Sequence, residues 1–209
     1  ITHEFKTPIT TVQAALEAIV NFNAQNDGEK TKKYVEISNQ QMVKLNVMVE
    51  KLLETASLDS DSLSLRLEEV NLVELIQKQL EKYGLDSKKE ISFNYSSDQI
   101  MRNVDVFHFE SVVQNLIDNA LKYGGNKIEI HLKEDAIEGI SIIIRDNGIS
   151  IPKALRSKIF EKFYRIPTGN IHDVKGFGIG LYYAKSIVDK HGGTLQLLDE
   201  KGYTSFKIT

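Results

Sequence analysis

The chain has 209 residues, enough for one or two domains with a proper core, and its 41% hydrophobic and 26% charged residues are ordinary for a soluble globular protein. A net charge of −3 carries no polybasic signature, so neither nucleic acid nor an anionic membrane is an expected partner. The absence of cysteine excludes a disulfide scaffold, a thiolate zinc site and cysteine catalysis while permitting a reducing compartment, and no apolar run approaches the roughly 20 residues that span a bilayer.

From Phe5 to Ile19 the apolar residues Phe5, Ile9, Val12, Leu16 and Ile19 step alternately by four and three, a heptad seam. A polar stretch over 21–29 follows, with Asp27-Gly28 as a turn signal. In the second helical run Met42, Leu45, Val49, Leu52 and Ala56 again step by three and four. Two seamed helices joined by a short loop predict an antiparallel hairpin, which cannot bury wide apolar seams alone. Pairing with a second copy gives a four-helix bundle; the alternative is packing on the following domain. The chain opens at Ile1 inside this first helix, which reads as a fragment whose natural N-terminal part is missing.

Residues 58–64 are rich in Asp and Ser and read as a linker. Beyond it Leu63, Leu65 and Leu67 alternate as in a half-buried strand. Asn71 is a predicted N-cap for a helix to about Tyr83, and strands are expected around Ile91–Tyr95 and Met101–Val104. A helix over about 105–122 turns Val112, Val113, Leu116, Ile117 and Ala120 inward. Ile128, Ile130 and Leu132 predict a strand, Ile140–Ile144 a fully buried one, and Pro152–Tyr164 short helices. Residues 165–175 are polar and irregular, Gly178–His191 is helical, and Leu195–Leu197 with Tyr203–Ile208 closes the chain as a hairpin. The second domain is therefore α+β, a mixed sheet with helices on one face.

Three segments carry chemistry. The glycines of Gly176-Phe177-Gly178-Ile179-Gly180 let backbone N–H groups approach phosphate at a helix N-terminus. The polar residues before them argue against a dinucleotide fingerprint, which needs a preceding strand. They leave a mobile lid over a nucleotide or a structural turn. Asp146-Asn147-Gly148 ends an apolar strand. A carboxylate there suits an amino group such as the exocyclic amine of adenine, with Gly148 leaving room for a flat ring, although alone the tripeptide is an ordinary turn. Asn115 and Asn119 share a helix face with Lys122 and Tyr123 one turn on. Amide oxygens suit Mg²⁺ and a lysine suits phosphate; the bland reading is a solvated face.

Together these segments resemble the bacterial sensor histidine kinases of two-component systems, over nearly the whole chain. His3-Glu4-Phe5-Lys6-Thr7-Pro8 is similar to the family's phospho-acceptor box. Residues 115–123 resemble its N box, Asp146-Asn147-Gly148 its first glycine box, 160–165 its phenylalanine box and 176–181 its second glycine box. The resemblance implies an N-terminal helical hairpin, a four-helix bundle as a dimer, at 1–57, and a Bergerat-type (GHKL ATPase) α/β sandwich at 65–209. It implies that His3 is phosphorylated by ATP, that Glu4 raises its basicity and takes its proton, and that Thr7 orients water for dephosphorylating the partner. Asn115 would hold Mg²⁺, with Asn119, Lys122 and Tyr123 near the phosphates. Asp146 and Gly148 would receive adenine, Arg165 would contact phosphate at the start of the lid, and Gly176, Gly178, Gly180 and Leu181 would form the lid hinge and phosphate cradle. The implied partners are a second copy and the receiver domain of a response regulator. The implied place is the cytoplasm, with the full-length parent anchored in the inner membrane through the missing N-terminal part.

One residue departs from the pattern: Ser150 stands where the first glycine box usually has a second glycine. Relatives that hydrolyse ATP typically carry a glutamate at the position of Asn115, as the base for water. An amide cannot be that base, which favours transfer to a protein acceptor. A degenerate docking module would be expected to lack His3, the paired asparagines or Asp146.

Chemically, neutral imidazole is a competent nucleophile near its reference pKa of about 6.5. Thr7 lies four residues from His3 on the same helical face. Pro8 removes a helical N–H from the carbonyl of Glu4, so a local bend is expected beside the acceptor.

Overall fold

The computed structural model describes residues 2–21, 27–58, 63–83, 89–136, 139–166 and 177–209. Contacts divide the chain into two compact units, 1–60 and 61–209.

The first unit is a hairpin of α1 (Thr2–Asn21) and α2 (Gly28–Leu58). Helix α1 runs through Pro8 without a break, and Thr10 Oγ1 donates to the Lys6 carbonyl at 2.8 Å. Asp27 begins α2 as a cap: its carboxylate accepts from Lys30 N at 3.1 Å and its carbonyl from Thr31 N at 2.9 Å. The apolar seam splits between two faces. Pro8, Ala15, Met48, Thr55 and Leu58 are buried, and Leu45 and Leu52 half-buried, whereas Ile9, Leu16, Met42, Val49 and Ala56 are exposed. The expected seam on α2 therefore mixes the hairpin's own contact line with a second stripe one step round the helix.

The second unit holds β1 (Glu68–Asn71), α3 (Leu72–Glu81), β2 (Glu90–Tyr95), β3 (Met101–Val104), α4 (Val106–Tyr123), β4 (Lys127–Asp135), β5 (Gly139–Asp146), α5 (Gly180–Lys190), β6 (Leu195–Leu198) and β7 (Thr204–Ile208). Strands β1 and β3 pair antiparallel as a separate ribbon. The main sheet has the order β2-β4-β5-β7-β6, with β2 parallel to β4 and every other pairing antiparallel. It is thus the mixed sheet that the alternating and helical periods predict.

Its core-facing residues Ile128, Ile130, Leu132, Ile142, Ile144, Phe206 and Ile208 are buried, as are Leu116 and Ile117 of α4 and Ala184, Ile187 and Val188 of α5. On the other face Arg145 Nε and an Arg145 terminal nitrogen each lie 2.7 Å from Glu129 and Glu200 carboxylates, and the guanidinium stacks on Tyr203 at 4.7 Å. Strand β5 consequently alternates in burial and is not buried on both faces. Residues 63–67 form no strand either: the Arg66 N–H donates to Asp105 Oδ2 at 2.8 Å, where a ladder would need a neighbouring carbonyl. Helix α5 begins at Gly180, two residues later than expected, because Gly178 holds φ +67°, outside the right-handed helical region.

Candidate nucleotide site

Helix α4 is set by its ends. Asp105 caps it, accepting from His108 N at 3.1 Å, and Phe109, Val112, Val113, Leu116, Ile117 and Ala120 bury one stripe. That stripe leaves Asn115 and Asn119 at its margin, both half-buried. The Asn119 Nδ2 is buried and has no protein partner among the described residues. The Asn115 amide faces the start of α5: a Cβ added to Gly180 would lie 2.8 Å from Asn115 Oδ1. Among the described residues no side chain caps the N-terminus of this 11-residue helix. An uncapped helix start concentrates free N–H groups and partial positive charge.

At the other end of α4, the helix stops at Gly124, which is extended at φ −75°, ψ 170°. Here the chain crosses Asp146, the last residue of β5. A Cβ on Gly124 would lie 2.6 Å from Asp146 Cγ, and one on Gly148 2.6 Å from Gly124 Cα. No larger residue fits this crossing. The loops are also sewn together, since Asn147 N donates to the Lys127 carbonyl at 3.2 Å and Lys127 N to Asn147 Oδ1 at 2.9 Å.

Asp146 is only 5% exposed. Burial pushes its carboxyl above the usual carboxylate range, opposed by N–H groups of Gly148 and Gly125 and by the Lys89 ammonium. Gly148 N donates to Asp146 Oδ1 at 2.8 Å. Thr204, opposite Asp146 in the β5–β7 ladder, is buried and donates its hydroxyl to the Ile149 carbonyl at 3.2 Å.

Lys122 and Tyr123 are exposed on the last turn of α4. Lys122 Nζ lies 3.3 Å from Asp118 Oδ2, and Tyr83 donates its hydroxyl to Asp118 Oδ1 at 2.8 Å. Burial, then the bond to Asp118, raises the Tyr83 hydroxyl well above the usual phenol range. Arg165 is exposed and Leu181 half-buried. The turn before α5 is pinned, because Phe163 N donates to the Gly178 carbonyl at 2.8 Å and Phe163 takes φ 67°, unusual for a residue with a side chain. Thr7 is exposed on α1. Gly176 and the side chains of His3 and Glu4 lie outside the described residues; the backbones of His3 and Glu4 belong to α1.

The structure therefore gathers Asn115, Asn119 and Gly180 at one place and Asp146 and Gly148 at another, both reached from α4. Sequence reasoning passed over Gly124, Gly125, Lys89 and Thr204. The Gly-Gly pair directly after a helix was a legible stop signal; Lys89 and Thr204 carried no local signal, since only strand pairing brings them to the site.

Two family models match the chain: the histidine kinase-, DNA gyrase B- and HSP90-like ATPase over residues 104–209, and the His Kinase A (phospho-acceptor) domain over residues 1–61. The chain belongs to the sensor histidine kinases. Sensor protein RprX of Bacteroides fragilis is 34% identical over 206 residues, 96% of this chain and 40% of that protein. Sensor protein kinase WalK of Staphylococcus saprophyticus is 30% identical over the whole chain and 35% of its own length. The chain thus spans well under half of these curated relatives. The histidine kinase AdeS of Acinetobacter baumannii superposes with a TM-score of 0.76 at 24% identity, covering 99% of this chain and 95% of that one. ThkA, solved in complex with the response regulator TrrA, gives a TM-score of 0.75 at 25% identity over 99% of this chain and 58% of that one. The helical unit followed by a Bergerat-type α/β unit is the fold of these kinases.

Proposed function

We propose that this chain is the phosphoryl-transfer part of a two-component histidine kinase: ATP phosphorylates His3, and the group passes to an aspartate on a response regulator. The single observation that carries this reading is the uncapped start of α5 set against the Asn115 amide, in the same unit as a buried carboxylate at the end of β5. The first suits phosphate and the second an amino-bearing base. Residues 1–57 then form the dimerisation and acceptor domain, 58–64 the linker and 65–209 the nucleotide domain. The matched phospho-acceptor family model and the ThkA–TrrA complex support a receiver domain as partner.

On this reading Asp146 accepts from the adenine amine, Gly148 and Gly124 leave space for the ring, and Asn119, Lys122, Tyr123 and Arg165 lie along the phosphates. Gly176, Gly178, Gly180 and Leu181 border them from the other side. Asn115 offers one amide oxygen and no carboxylate, a donor set that fits Mg²⁺ arriving with the nucleotide, because Mg²⁺ takes few protein ligands beside phosphate oxygens. When bound, the ion neutralises charge developing on the phosphates. A ring nitrogen of His3 forms the new P–N bond as the P–O bond to ADP breaks, and Glu4 accepts the imidazole proton. Attack by a carboxylate oxygen of the regulator then breaks the P–N bond, and the departing imidazole takes back the proton held by Glu4 to return neutral histidine. Thr7, exposed and four residues after His3 in the sequence, orients water on this reading for removal of phosphate from the regulator.

Dimerisation completes the helical unit. Val35, Met42, Val49 and Ala56 are exposed at intervals of seven on α2, as are Ile9 and Leu16 on α1. A second copy covering these stripes makes a four-helix bundle. This region works in the cytoplasm, and the full-length parent is anchored in the inner membrane.

Labelled ATP tests the reading. The chain should acquire acid-labile, base-stable phosphate, His3→Ala should lose it while still binding nucleotide, and labelled protein should pass phosphate to receiver domains. Labelling that survives His3→Ala refutes the acceptor; undiminished nucleotide binding by Asp146→Ala in calorimetry refutes the adenine contact.

A further inference from the structure

Lys89 stands just before β2, outside every motif the family resemblance supplies. Its Nζ lies 3.2 Å from the Ala120 carbonyl and 2.8 Å from the Gly124 carbonyl. The Ala120 carbonyl closes the last turn of α4, also accepting the Gly124 N–H at 2.9 Å, and the Gly124 carbonyl lies just beyond it, at the helix end that favours a cation. Gly124 is extended, so the helix lacks the left-handed glycine cap that usually satisfies such carbonyls. The lysine therefore adds a second donor at Ala120 and ties the Gly124 carbonyl, one residue past the helix, to the same ammonium. Gly124 is also the residue that lies against the Asp146 carboxyl. One ammonium thus ties down the residue packed against Asp146, and its charge acts on that acid.

We infer that Lys89 is a positioning residue for nucleotide binding: it clasps the C-terminal carbonyls of α4 and so seats Gly124 against Asp146. The inference rests on the adenine-contact reading of Asp146. Lys89 is the only charged group acting on this carboxyl among the described residues; the other opposing groups are the N–H of Gly148 and of Gly125. The ladder neighbours Ile128 and Thr204 are uncharged, and Lys122, on α4's last turn, is paired with Asp118. Burial alone would drive Asp146 towards its protonated form, whose carbonyl oxygen makes weaker bonds to an amine than a carboxylate does.

The sign follows. Nucleotide affinity should fall as pH drops through the titration of Asp146, and without Lys89 that fall should begin at higher pH. The experiment is ADP binding to the whole chain by calorimetry over roughly pH 5 to 8, for wild type, Lys89→Met and Lys89→Arg. Lys89→Met should weaken ADP about ten-fold near neutral pH and shift the acidic limb upward, with Lys89→Arg restoring both. Wild-type affinity and an unmoved pH profile in Lys89→Met overturn the inference. Because the variant also loses a helix cap, the Asp146 carboxyl is titrated separately by NMR in nucleotide-free Lys89→Gln: an upward shift supports the clasp, and no shift refutes it. That readout needs no nucleotide. If wild type fails to bind ADP, or Asp146→Ala binds it equally, the nucleotide reading falls while the clasp is still judged by the titration.

Discussion

The two units place their apolar residues in opposite ways. In the nucleotide unit, Ile76, Ile117, Ile128, Ile130, Leu132, Ile142 and Ile144 are at most 2% exposed. In the helical unit, Leu16 is 51%, Val43 63% and Leu53 66% exposed. The sheet offers the helices a broad surface, so one chain closes its own core. A lone pair of helices has only a line of contact, and half of each apolar stripe remains outside. On the proposed function the first unit is finished by a second copy and the second receives a nucleotide.

The comparison can be broken most forcefully in the core. Ile144→Ala should cost about 2–5 kcal/mol and lower the melting temperature of the nucleotide unit, read by calorimetry with and without ADP. Met42→Glu with Val49→Glu should act oppositely, dissociating the dimer in sedimentation while leaving ADP binding intact. A dimer that survives both charges would contradict the second-copy reading of the stripe. Gly124→Ala should cost about 1–3 kcal/mol through overpacking and reduce ADP affinity, since its Cβ has no room beside Asp146. Asn71→Ala, which removes the N-cap of α3, should cost about 1 kcal/mol and act on the second unit alone.

Asp146→Asn sharpens the contrast between stability and use. The folded-state carboxyl titrates above its unfolded value, so the folded protein binds more protons in that window. Stability therefore falls as pH rises through it, and at neutral pH ionised Asp146 is a net cost. Asp146→Asn should melt higher than wild type at neutral pH, with the gain vanishing on acidification, and should bind ADP less well. Lys78→Ala belongs at the small end. Its ion pair with Glu110 is 3.5 Å long and the lysine side chain 69% exposed, so a change under about 0.5 kcal/mol is expected in denaturant melts.

Much of this was legible along the chain because local physics wrote it there. Asn71 and Asp105 precede apolar helical periods and both cap helices. The alternation of Ile128, Ile130 and Leu132 could suit only a strand with one buried face. The leucines at 63, 65 and 67 alternate equally well yet lie in no strand, because alternation describes burial and says nothing about a partner. On α2 the period was right and the face was ambiguous: Leu45 and Leu52 are half-buried, while Met42 and Val49 are exposed. Steps of three and four cannot tell one stripe from two that touch.

The candidate site divides in the same way. Asn115 and Asn119 share a face by helical geometry, and Asp146 ends a strand by its apolar run, so their order and spacing pointed to nucleotide chemistry without coordinates. Lys89 reaches Ala120 and Gly124 across 31 and 35 residues of sequence, and Thr204 meets Asp146 only through the β5–β7 register. Periodicity and motif spacing are properties of neighbours along the chain, and these determined the family, the elements and the chemistry-bearing boxes. Which glycine must yield to which side chain, and which lysine clasps the end of α4, are contacts between distant residues; they were decided by the pairing of strands and the packing of α4 and α5.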